Sequence, residues 1–365
     1  MRIFAYLIII LGIYHSIKEE SLKQIIKYSN NTKIQIAAIG LMIITIISLF
    51  YYPNKLFLSS DPQPIITSIK PNAQDQIIKE AQTGLFIKNF PVFDVVKNEF
   101  IMNAIVWFEF DPRQININSI KDFSFEKGKI LEKSELNSKI INNNLWIYYK
   151  VKVEFTSDLD YKYFPIEDHK IYLTLVNTQM DPKLETLVSY NTNLVLKEGI
   201  FTGDWRKISE EVEYGYIELF LDKYEEAKST KYPAVSFELS FEKIGSRKAL
   251  VIFIPLFMVF FLSLLSLLVN INNTSGIITL SAGSTSALIF NLIAIESMSP
   301  NVRYFTVANK IYILLLIFAF LILLTNVYVE KNLNKIDTNR LQLIRGYTFY
   351  FSITFILLII YSILY

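Results

Sequence analysis

Residues able to do chemistry are few in this chain and poorly clustered. It has two histidines, His15 and His169, far apart, and no cysteine. Thiolate nucleophiles, disulfides, iron–sulfur clusters and thiolate zinc sites are therefore excluded, and histidine-based metal catalysis is disfavoured. Adjacent carboxylates at Glu210–Glu211 and Glu225–Glu226 lie in polar stretches and read as solvated surface rather than as an acid–base pair. Asp158 and Asp160 have the spacing of a calcium loop, but the neighbouring sequence lacks the further oxygen donors a cage needs. There is no G-x-S-x-G, no H-E-x-x-H and no phosphate-cradling glycine loop among only 11 glycines. The chain is expected to be no enzyme, with no catalytic residue, metal or cofactor. A different cluster stands out: Thr279, Ser281, Gly283, Ser284, Thr285 and Ser286 share one charge-free apolar segment. Such residues either face water or let helices approach closely.

The surrounding composition explains that setting. Of 365 residues, 52% are apolar and 15% aromatic, while 36 Lys+Arg against 34 Asp+Glu leave a net charge of +2. That near balance argues against a nucleic-acid partner. Charge-free windows run over Ala249–Val269, Ile277–Ile295, Ile311–Val329 and Gly346–Tyr365. Each is long enough to cross a hydrocarbon core of ~30 Å at ~1.5 Å per residue. Ile34–Tyr52 reads as an earlier span, and the short stretch Ile3–Tyr14 as a membrane or interfacial helix, since no small-residue cleavage site follows it. Lys18, Lys23, Lys27 and Lys33 precede the Ile34 span, and Lys331, Lys335, Arg340 and Arg345 lie between the last two spans. Both basic loops should be cytoplasmic, which puts the intervening domain outside.

That domain, residues 56–247, reads as strands. Leu145, Ile147, Tyr149, Val151, Val153 and Phe155 alternate with Trp146, Tyr148, Lys150, Lys152 and Glu154, a period of two with one face buried. Phe100–Phe110, Ile171–Val176 and Phe237–Phe241 alternate similarly, punctuated by turn signals at Asn142–Asn144 and Asp111–Pro112. The pattern predicts an antiparallel β-sandwich. The division expected is 1–55 for N-terminal membrane helices and a basic loop, 56–247 for the sandwich and 248–365 for a transmembrane four-helix bundle.

Within the sandwich, Leu159–Asp160–Tyr161–Lys162–Tyr163–Phe164–Pro165–Ile166–Glu167 resembles the signature loop of pentameric ligand-gated ion channels, the Cys-loop receptor superfamily, in the cysteine-free form of prokaryotic members. Here Ile166 replaces the third aromatic residue and Glu167 the final Asp. His169 stands where the family commonly has Gln and reads as a loop residue, not a metal ligand. Thr83–Gly84–Leu85–Phe86, Phe93–Asp94 and the strand to Trp107 are similar to the family's first two strands, and Phe201–Thr202–Gly203–Asp204–Trp205 to the turn before its eighth. Arg247 and Pro255 resemble its pre-membrane arginine and helix proline, and Ser299–Thr306 its gating linker. The likeness covers about residues 75–365. The Ile34 helix and the N-terminal segment are additions to the family's plan.

The resemblance implies a homopentamer in the inner cell membrane, with the second channel helix (about 276–297) lining a pore for small ions. Its candidate pore row is Thr279, Gly283, Ser286, Phe290 and Ile293, with Phe290 and Ile293 as a dewetting constriction near the outer end. Ser286 takes the mid-helix place where the family has a bulky aliphatic residue. The loop Asn270–Ser275 is uncharged, so Glu296 is the candidate for a carboxylate ring, and a weakly cation-selective pore is expected. Asp160, Pro165, Glu167, Arg247, Pro300 and Tyr304 are the candidates for coupling the sandwich to the pore, with Glu167 and Arg247 as an ion pair. Ligand candidates are Trp205, Tyr224 and Tyr232, for an unknown small ligand or protons. The alternative is a non-conducting membrane receptor with the same fold, and a membrane-anchored enzyme ranks third.

Overall fold

The computed structural model describes residues 32–51, 60–67, 78–200, 203–220, 229–243 and 247–364. The stretch Ile3–Tyr14, the basic residues Lys18 to Lys27, Phe201, Thr202, Glu225–Glu226 and Tyr224 lie outside them. The chain divides into two compact units. One holds the strands together with Ser299–Tyr304, and the other holds the long helices.

The strand unit starts with Lys79–Asp94 (β1) and Glu99–Phe110 (β2), which pair antiparallel. A short helix, Ile117–Lys121 (α2 in chain order), leads to Phe123–Phe125 (β3), Gly128–Lys133 (β4), Asn137–Ile141 (β5) and Asn144–Phe155 (β6). His169–Asn177 (β7), Glu185–Val188 (β8), Leu194–Leu196 (β9), Trp205–Phe220 (β10) and Ser229–Lys243 (β11) complete it. The order is β10-β11-β7-β3-β4-β6-β2-β1-β8, with β5 on β6 and β9 on β1.

Alternation written in the sequence becomes burial. Ile147, Tyr149, Val151, Val153 and Phe155 of β6 are buried, as are Phe100, Met102, Ala104, Val106, Phe108 and Phe110 of β2. Phe93 on β1 meets Phe241 on β11 at 4.9 Å between ring centres and Phe100 at 5.2 Å. Because β1 and β11 stand near opposite ends of the strand order, that contact requires the sheet to fold over on itself. A fully buried ring such as Phe100 or Phe241 contributes on the order of 1.5–3 kcal/mol. The expectation of a purely antiparallel sandwich is corrected: β8 and β9 both run parallel to β1, giving a mixed, nearly closed sheet. Two-residue hairpins cannot join parallel strands, so these pairings follow long excursions, a relation that local alternation does not encode.

In the helical unit, Thr32–Tyr51 (α1) is apolar, and Arg247–Ser266 (α3), Thr274–Met298 (α4), Val307–Asn332 (α5) and Thr338–Leu364 (α6) are each long and apolar enough to cross a membrane. Successive helices pack on one another, and α1 packs on α6. Helix α6 begins well before Gly346, which corrects the expectation for Arg345. This residue is a buried part of the helix, not of the basic loop. Its guanidinium Nη2 donates to the carbonyls of Ser266 (2.8 Å) and Val269 (2.9 Å), satisfying carbonyls that the end of α3 leaves without helical partners.

Candidate functional site

Helix α4 carries the hydroxyl cluster, and its two faces differ. Ser281, Ser284 and Thr285 are buried within the helical unit. Ser284 shares a hydrogen bond with Ser263 of α3 at 2.7 Å, and the Thr285 hydroxyl donates to the Ser281 carbonyl at 2.8 Å. A connected set continues inward, as Ser266 Oγ donates to the Ser263 carbonyl and accepts from Asn326 Nδ2. These small hydroxyl residues let α3 and α4 come close while keeping their polar atoms paired.

Thr279, Gly283, Ser286, Phe290, Ile293 and Glu296 are all exposed. The first five recur at spacings of four and three, which at ~100° per residue makes one narrow stripe. Glu296 is displaced from its centre and Ser297 lies on it. Phe290 is 71% and Ile293 67% exposed in the single chain. The outward faces of α3 and α5 are different in kind, with Val251, Ile254, Met258 and Leu262 on one and Ile313, Ile317, Phe320 and Leu324 on the other. Hydrocarbon side chains fill those faces, whereas three of the five residues of the α4 stripe are hydroxyl or glycine.

Of the coupling candidates, Asp160, Glu167 and Tyr304 gather in the strand unit around a residue that sequence reasoning missed, Asp61. Its Oδ1 accepts from the backbone N–H of Asp160 (2.6 Å) and its Oδ2 from that of Lys170 (2.7 Å). Both oxygens lie 3.2–3.3 Å from Nδ1 of His169. His169 is corrected here: it is the buried first residue of β7, not a loop residue. Its Nε2 lies 3.7 Å from Glu167 Oε1, an ionic distance too long for a direct hydrogen bond. Burial by itself would depress the imidazole, but the two carboxylates outweigh it and raise its pKa to about 9. Near neutral pH His169 is thus a fixed buried cation. The only hint of Asp61 in the sequence is its place before Pro62, about a hundred positions from its partners.

Tyr304 joins the same loop. Its Oη accepts the Tyr161 N–H (2.8 Å) and donates to Asp160 Oδ1 (3.1 Å). Burial opposes ionisation of Asp160, yet the hydrogen bonds from Ser60, the Lys162 N–H and Tyr304 hold its carboxyl below the usual carboxylate range. Asp158 pairs with Lys127. Pro300 is buried, and the Pro165 carbonyl accepts from Lys243 Nζ at 3.0 Å. Glu167 is buried beside His169, while Arg247 is the exposed first residue of α3 and falls in the other unit. Trp205 is buried with His169 at 5.5 Å and Lys243 Nζ at 5.5 Å from its ring. Tyr232 packs against Val176, Ile217 and Ala234. Among the described residues no group of three His, Asp or Glu side chains is arranged to hold a metal ion.

The chain matches no protein-family model, and no curated protein matches it.

Proposed function

We propose that the chain is one subunit of a homopentameric ligand-gated ion channel of the inner cell membrane, with its strand unit outside the cytoplasm and a weakly cation-selective pore. The observation carrying this reading is the division of α4 into two faces. Its buried hydroxyls serve helix packing. Its exposed stripe of Thr279, Gly283, Ser286, Phe290 and Ile293 is left uncovered among the described residues. In a bilayer, hydrocarbon suits the outward faces of α3 and α5, while hydroxyls and glycine suit water or a second copy of the same helix. Five such stripes around an axis make a passage polar at one end, with Phe290 and Ile293 as a hydrophobic constriction toward the other. Glu296 beside that constriction would draw cations.

Coupling follows the covalent chain. Ser299–Tyr304 leaves the C-terminus of α4, and Tyr304 is hydrogen-bonded into the Leu159–Glu167 loop. A cue that favours one arrangement of that loop would thereby bias α4, by as much as its affinities for the two arrangements differ. The cue is an unidentified small ligand, and His169, already protonated at neutral pH, makes a poor proton sensor there.

Purified protein in a planar bilayer tests the reading. Wild type without its ligand should pass little current, Phe290→Ala should raise the resting conductance, and Glu296→Gln added to Phe290→Ala should move the reversal potential away from cation preference. A particle of five subunits that passes no current, even as Phe290→Ala, would reassign the fold to a non-conducting receptor.

A further inference from the structure

We propose that the outward face of strands β2 and β6 carries a binding site for a small polyanion, a molecule with two or more carboxylate or phosphate groups close together. A cleft of ≈ 620 Å³ lies there, within the ~300–1,000 Å³ range of small-molecule sites. It is lined by Lys88, Lys133, Lys150, Lys152 and Lys197, against the single carboxylate of Glu132. In a chain whose total charge is only +2, this is a strong local excess.

Two of the lysines are already engaged. Lys152 pairs with Glu132 at 3.1 Å. Lys133 Nζ donates to the Lys121 carbonyl at 2.6 Å and lies over the rings of Phe123 and Tyr149, at 4.1 and 4.5 Å from their centres. Lys88, Lys150 and Lys197 have no carboxylate partner among the described residues. Like charges brought together without a counter-ion raise the energy of the empty cleft, and an anion lowers it.

Backbone irregularities mark the same place. Across four neighbouring strands, Asn89 is opposite Asn103, Asn103 opposite Lys152, and Lys152 opposite Glu132. Each outer strand of this row is irregular beside it. β1 passes from the pair Ile87–Ala104 to Asn89–Asn103, making Lys88 an extra residue, and β4 passes from Ile130–Val153 to Glu132–Lys152, making Leu131 one. Bulges re-aim side chains and gather near binding sites. Asn103 Nδ2 donates to Asn89 Oδ1 at 2.9 Å, so Asn89 keeps its own amide N–H groups to donate elsewhere. Ammonium groups with neutral N–H donors form a set for anions. One chloride carries a single negative charge against Lys88, Lys150 and Lys197, whereas linked anionic groups carry more charge and span the cleft. A long nucleic acid would need basic surface extending beyond the cleft.

The site is read by binding and not by current, so it stands or falls separately from the pore. Calorimetric titration of the full-length protein in detergent, with citrate and pyrophosphate as probes and acetate as the monovalent control, should show one saturable polyanion site per chain. Affinity should fall about tenfold or more from about 50 to about 200 mM salt. Citrate alone binding would assign polycarboxylates, pyrophosphate alone would assign phosphates, and both would assign charge spacing; each supports the site. Lys88→Gln with Lys150→Gln should weaken binding at least about tenfold while thermal unfolding stays at the wild-type temperature. Should that pair fail to fold, Lys197→Gln, at an exposed position, is held to the same weakening. No saturable binding by either probe, or unchanged affinity in the folded variants, overturns the proposal.

Discussion

At Gly84 a β-carbon has nowhere to go, because the ring of Trp107, its partner across the β1–β2 pair, covers the position. Gly84→Ala should therefore lower the stability of the strand unit by about 1–3 kcal/mol, measurable as an earlier unfolding transition in tryptophan fluorescence. His169 makes a pH-dependent contribution whose sign is set by its raised pKa. The folded value of about 9 lies above the unfolded value of about 6.5. The stabilisation is thus fully present below about pH 6.5 and disappears as pH rises through about 9. Unfolding temperature should drop over that window in wild type and stay flatter in His169→Gln. Tyr304→Phe removes the hydrogen bond to Asp160 and the acceptor of the Tyr161 N–H, each worth about 1 kcal/mol. Gating should shift accordingly, and an unchanged open probability in single-channel records would deny Tyr304 its coupling role.

On the channel reading, neighbouring residues of α4 would separate a packing role from a pore role. Ser284 is buried against Ser263, whereas Ser286 is exposed. Ser284→Leu should overpack the α3–α4 contact and cost about 1–3 kcal/mol, seen as loss of the purified assembly on mild heating. Ser286→Leu should leave stability unchanged and reduce current. Equal thermal losses in both would place the whole cluster in packing. The hydroxyl cluster itself was legible in the sequence, and so, once Thr279 was chosen as its anchor, was the row of Thr279, Gly283, Ser286, Phe290 and Ile293 at helical spacing. The division of labour was not, because six small residues in a run point all around a helix and only the position of α3 selects which are covered. Arg345 repeats the lesson: a basic residue near a span's end reads as a loop anchor until the helix is seen to begin earlier and its guanidinium to cap α3.

For the whole molecule, α3 to α6 form one unit whose outward faces are mostly hydrocarbon, so the protein should require detergent or lipid to remain dispersed. The channel reading also fixes a mass. Native mass spectrometry from detergent should give five times the 42.4 kDa chain, and a monomer would remove the basis for any central passage.

Local periodicity determined the element types: strands from alternation of apolar and polar residues, membrane-length helices from long charge-free windows. Such patterns reach a few residues along the chain, and within that reach they specify which side of each element is buried. Only the tertiary structure decided that β8 and β9 join β1 in parallel, that Asp61 holds His169 and the Asp160 backbone, and that unpaired lysines from separate segments share one cleft. Those relations connect positions tens to about a hundred residues apart. No short-range spacing encodes them, because they arise from strand pairing and loop contacts between distant segments.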